Sequence, residues 1–139
     1  MNKTLLLQIA AAGVVVLIIG AIFAYKHRRP KLNVNHFTKR WRELQKNCAT
    51  RKTWPLAIID ADNLLNDALK KRHYKGKTTG ERMVAAQRDL TSNDTVWFGH
   101  KLRNRIVHED VRKLRKQDVL EALSGFRQAL KDLGALKND

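Results

Sequence analysis

The sequence predicts an all-α fold: one N-terminal transmembrane helix, then an antiparallel helical bundle of four to five helices. Residues 4–25, TLLLQIAAAGVVVLIIGAIFAY, carry no charge. Beyond them, apolar residues recur at alternating steps of three and four, the repeat of a helix with one buried face. No segment shows the sustained apolar–polar alternation of a half-buried strand.

The first element follows from length. A helix over residues 4–25 would be about 33 Å long, against a hydrocarbon core of about 30 Å. A cleaved signal peptide is the competing explanation, but its apolar region is normally about 7–15 residues and ends at a small-x-small site. Here the apolar run is longer, AAAG falls early within it, and the basic cluster KHRRPK follows as a stop-transfer signal. A retained anchor is expected. Lys3 precedes the span, whereas Lys26, Arg28, Arg29, Lys31, Lys39, Arg40 and Arg42 follow it. The positive-inside rule therefore places the C-terminal portion in the cytoplasm. The lone cysteine, Cys48, suits a reducing compartment and reads as a small buried hydrophobe rather than a reactive thiol.

Three segments are expected: an anchor with its basic cluster (residues 1–30), a juxtamembrane amphipathic helix (31–52) and a helical domain (53–139). In the second, Phe37, Trp41, Leu44 and Cys48 form one apolar stripe, flanked by Lys39, Arg40 and Arg42. That helix either packs its stripe into the core or lies along anionic headgroups. Thr53 or Trp54 caps the next, with Pro55 in its first turn where a missing amide costs little. Trp54, Ile58, Ala61, Leu65 and Ala68 are its stripe. Thr78 and Glu81 have capping-box spacing, which predicts a third helix from about Thr79 to Leu90. TSND introduces a fourth, from about Asp94 to His108 or Glu109. The last, Lys116 to Leu133, aligns Val119, Leu123, Phe126, Leu130 and Leu133, with Gly134 as its C-terminal cap.

The formal net charge is +15, and Lys3 is the only charged residue in the first 25, so the remainder carries +14. Such a bias favours anionic partners: RNA, anionic lipid or acidic protein. Nucleotide binding by KGKTTGE is not expected, because the first glycine of a phosphate loop would fall at Lys71, within a helix. No cofactor is implied. His100 and His108 are eight apart without a second ligand pair, so no metal site is implied either.

Two polar features fall on apolar faces. Asp62 stands four after Ile58 and three before Leu65. It either holds Arg103 or His108, or reaches water at the edge of the buried face. The stretch HKLRNRIVHED places Arg103, Asn104 and His108 within about two turns. A guanidinium matches phosphate, an imidazole moves a proton near neutrality, and an amide can orient the imidazole. Together they could position and cleave an RNA phosphodiester without metal. Equally, a polar cluster at a helix end can terminate the helix, with His108 favoured by the dipole.

Arg-Asn, three residues and His, on the penultimate helix of a small bundle, resembles the HEPN superfamily. GERMVAAQRDL, VWFGHKLRNRIVHE and ALSGFRQALKDLGAL look like segments of small membrane-anchored HEPN-like proteins of reduced-genome bacteria. The resemblance spans about residues 50–136 and leaves the anchor outside. It implies one of two activities. Many HEPN proteins are metal-independent endoribonucleases whose motifs meet across a homodimer; Arg103 and His108 would then be the catalytic pair, with Asn104 beside them and Asp62 and Glu109 in support. Others are non-catalytic binding or assembly modules. In the branch paired with nucleotidyltransferase antitoxins, a tyrosine lies two residues after the histidine; here that residue is Asp110, which argues against that mode.

Overall fold

A computed structural model describes residues 2–109 and 113–139. Asp110, and with it the end of the HKLRNRIVHED stretch, lies outside the described residues. The described chain is all-helical: α1 (Lys3–Lys26), α2 (Val34–Gln45), α3 (Trp54–Lys71), α4 (Thr79–Ala85), α5 (Asn93–Glu109) and α6 (Lys116–Asp132). Helix α1 is long and apolar enough to cross a membrane, and none of its side chains is buried by the rest of the chain. The other five helices form the bundle.

Helix α2 starts where the Asn33 side chain accepts a hydrogen bond from the His36 amide at 3.2 Å. Its stripe faces inward: Phe37, Trp41 and Leu44 are buried in the same core as residues of α3, α5 and α6. Two short 3₁₀ turns, Lys46–Cys48 and Arg51–Thr53, then reverse the chain. Thr53 donates its hydroxyl to the Asn47 carbonyl instead of capping α3. Cys48 is half-buried, and desolvation raises its thiol pKa, which suppresses the reactive thiolate.

Helix α3 is the central element. It packs against α2, α4, α5 and α6, so its buried set is wider than one stripe. Ala57, Leu64 and Leu69 join Ile58, Ala61, Leu65 and Ala68 in burial. The α2–α3 pair is antiparallel, as Arg40 meets Asp67 while Asn47 meets Asp60. Helices α5 and α6 are antiparallel as well. Gly99 lies against Phe126, Gly125 against the Thr95 carbonyl, and Thr91 ahead of α5 bonds Asp132 at the end of α6.

Helix α4 is shorter than the sequence predicts. It opens at the expected cap, the Thr78 hydroxyl accepting from the Glu81 amide at 3.2 Å. It ends at Ala85 instead of continuing to Leu90. Bonds from outside the helix hold the following residues in a turn. Asn93 donates its amide to the carbonyls of Gln87 and Leu90, and Asp89 accepts from the Tyr74 hydroxyl.

The C-terminus of α3 carries a Schellman motif. The Tyr74 amide bonds the Leu69 carbonyl and the His73 amide bonds the Lys70 carbonyl, with His73 in the left-handed region at φ 60°. The exposed carbonyls of Arg72 and His73 accept from the Arg29 guanidinium at 3.3 and 3.2 Å. That guanidinium lies 3.7 Å over the Tyr74 ring and 4.0 Å from Asp89. Arg72 returns a bond to the Pro30 carbonyl at 3.0 Å.

Burial, then the hydrogen bond and charge of Asp89, push the Tyr74 phenol above its ordinary 10.0, against the lowering effect of Arg29 and Arg72. The fold therefore favours the neutral phenol. This contribution is fully present below pH 10 and is lost as pH rises through the raised folded-state value. Thermal unfolding of the wild-type chain should decline above pH 10 more steeply than that of Tyr74→Phe. Equal decline in both would mean that this phenol is not responsible.

Candidate functional site

Asp62 enters the interior from the middle of α3, with 1% of its surface exposed. A carboxylate at that depth needs compensation, and α5 supplies it. His100 Nδ1 lies 2.7 Å from Asp62 Oδ1, and Arg103 Nε lies 3.6 Å from Oδ2. The second distance suits an ion pair and is too long for a hydrogen bond. Arg103 Nη1 donates to Asn104 Oδ1 at 3.1 Å, and Asn104 Nδ2 approaches His100 Nε2 at 3.4 Å.

The four side chains thus close a ring. With Nδ1–H donating to the carboxylate, Nε2 of a neutral imidazole is left as the acceptor that the Asn104 amide needs. The helical spacing explains why they meet. His100 and Asn104 are one turn apart on α5, and Arg103 reaches inward beside them. The Trp97 ring packs edge-on to His100, with centroids 5.7 Å apart. Gly80 of α4 closes the other side; a methyl group there would sit 3.5 Å from His100 Nε2. Beside the ring, Arg82 of α4 donates to Asn66 of α3 at 2.9 Å. One polar seam therefore ties α3 to both α4 and α5.

The five residues read from the sequence are divided by the structure. Asp62, Arg103 and Asn104 come together. Asp62 is buried rather than reaching water, and of the two partners considered for it the structure supplies Arg103. His108 is exposed, two turns beyond His100 on α5, and stands outside the ring. Glu109 is also exposed and pairs with Arg105 at 3.7 Å. The histidine in the ring is His100. A sequence signal for it exists: it stands four after Val96 and four before Asn104, on a face that must be buried.

An aspartate orienting an imidazole resembles half of a nucleophile-activating triad. Among the described residues, however, no hydroxyl or thiol hydrogen-bonds His100 Nε2; an amide does. Nor, among them, do three or more His, Cys, Asp or Glu side chains gather as a metal site would require. The ring's direct effect is to join two helices around a buried carboxylate that His100 hydrogen-bonds and Arg103 faces at ion-pair distance. Compared with family models, curated proteins and solved structures, the chain matches none.

Proposed function

We propose that this chain is a membrane-tethered, HEPN-like binding module, anchored by α1 with its helical domain in the cytoplasm, and that it holds RNA without cleaving it. The observation that carries this reading is the engagement of Arg103 and Asn104 inside the molecule. Both belong to the motif that would perform cleavage, and both are bound to Asp62 and His100 while His108 stands apart. The motif then serves as an interhelical lock.

The charge supplies the binding. Arg105 in the last turns of α5, and Lys113, Arg115 and Lys116 just before and at the start of α6, are exposed at one end of the α5–α6 pair, and exposed Lys101 at the middle of α5 extends the basic surface from there. Arg105 and Arg115 make local pairs with Glu109 and Asp118. Surface pairs of this kind are weak and can yield to phosphate. Cleavage by a homodimer is the alternative; it draws on the partial exposure of Arg103, at 27% of its side chain.

One experiment separates them. The full chain in neutral-lipid nanodiscs is titrated with single-stranded RNA, in chelator, at several salt concentrations. A binding module predicts affinity falling steeply with salt, no cleavage, and no change in His108→Ala. Replacing Lys101, Lys113 and Lys116 with glutamine should flatten the logarithmic salt slope by about 2. Metal-independent cleavage abolished by His108→Ala would replace this reading with the nuclease, and salt-insensitive binding would remove the electrostatic basis of both.

A further inference from the structure

The segment leaving α1 does not run free before the bundle begins. Arg29, three residues after the last residue of α1, is held by two carbonyls, an aromatic face and a carboxylate, while Arg72 grips the Pro30 carbonyl. Three residues of chain reach about 10 Å. The headgroup layer of a bilayer is about 5–8 Å deep. Whatever membrane α1 crosses, the turn after α3 is therefore kept at its surface.

That turn is strongly basic. Lys70, Lys71, Lys75 and Lys77 are exposed around it, beside exposed Lys26, Arg28 and Lys31 from the segment it grips. The nearby acids are engaged: Glu81 accepts from the Lys77 amide, and Asp89 faces Tyr74 and Arg29. By contrast, α2 turns its apolar stripe inward, so it has no greasy face to lay on lipid.

We infer that residues 70–77, clamped through Arg29 to the end of α1, form a headgroup-binding face that docks the domain on an anionic leaflet. The inference rests on reading α1 as the anchor. The clamp makes contact intramolecular, so each lysine meets headgroups at high local concentration. Polybasic segments beside a span are attracted to anionic leaflets within a Debye length of the surface. The face lies at the opposite end of the α5–α6 pair from Lys113 and Lys116 of the proposed RNA-binding surface, because Asp89, in the clamp, precedes α5 by only a short turn. Membrane docking leaves that other end open to solvent.

The test uses the full chain in nanodiscs of phosphatidylcholine, with or without phosphatidylserine, and reads amide hydrogen exchange. Anionic discs should slow exchange over residues 70–77 about fivefold, the effect of one well-placed lysine. Replacing Lys70, Lys71, Lys75 and Lys77 with glutamine should abolish the lipid dependence while leaving exchange in the middle of α3 unchanged. Arg29→Gln should also weaken it, although it removes no residue of the turn. Equal exchange in both disc types overturns the headgroup face, as does protection by RNA in neutral discs without any response to phosphatidylserine. Release of the chain by alkaline washing would overturn the anchor itself, and so is distinguishable from failure of the face alone.

Discussion

Replacing Asp62 with alanine should destabilise the chain by about 2–3 kcal/mol, the scale for leaving a buried hydrogen-bonding group without its partner. The carboxylate is almost wholly enclosed, at 1% exposure, and water does not readily replace it at His100, which is buried as well. Removing it strands the His100 Nδ1 donor and leaves the Arg103 guanidinium without its counter-ion. It also opens a small void between α3 and α5. Asp62→Asn should cost less, because its amide oxygen can still accept from Nδ1. Urea unfolding of the full chain in detergent, followed by tryptophan fluorescence, measures both; Trp97 packs against His100 and reports on the site directly. The companion substitution is His108→Ala, expected within about 0.5 kcal/mol of wild type as for an exposed residue. Were Asp62→Ala to cost under about 1 kcal/mol, comparable to an exposed pair, the ring would not be what joins these helices.

That contrast also marks where sequence pattern stops being informative. Periodicity locates α2, α3, α5 and α6 because each has a face that must leave water, and Thr78 and Gly134 mark ends by local bonds alone. Ala57, Leu64 and Leu69 fall outside the single stripe of α3 because its neighbours surround it, which only the packing reveals. The end of α4 is held from outside the helix too, at longer range by Tyr74 through Asp89 and locally by Asn93 through the Leu90 carbonyl. At the site, the polar positions on buried faces are legible and their pairing is not. Asp62 is recognisable as a carboxylate in need of a partner, and Arg103 as a candidate. His108 attracts notice through a motif, whereas His100, the residue that meets Asp62, has only its place beside Val96 and Asn104 to recommend it.

Gly125→Ala should be the most damaging conservative change in the bundle. A methyl group there would stand 2.5 Å from the Thr95 carbonyl oxygen and 2.8 Å from the Val96 nitrogen. Both are backbone atoms of α5, which cannot rotate aside as a side chain does. The two helices must therefore separate, and a rigid displacement propagates along their antiparallel contact. It reaches Gly99, where the Phe126 ring already approaches to within 2.8 Å of a hypothetical methyl group, and Phe126 itself is fully buried. Overpacking a tight core costs about 1–3 kcal/mol, and here the displaced element is a whole helix, which puts the cost at or above the top of that range. Alanine's helix propensity returns about 1 kcal/mol, leaving a net loss of about 2 kcal/mol. Gly80→Ala is the control: its methyl group meets His100 and Trp97 at 3.5 and 3.6 Å, ordinary contact distances, so it should be neutral or slightly stabilising. Gly125→Ala should thus lower the unfolding temperature, whereas Gly80→Ala should leave it unchanged or raise it slightly. If Gly125→Ala unfolds no earlier than Gly80→Ala, the α5–α6 crossing is looser than a backbone contact requires, and the geometry that sets His100 and Arg103 against Asp62 must be held by α3 and α4 instead.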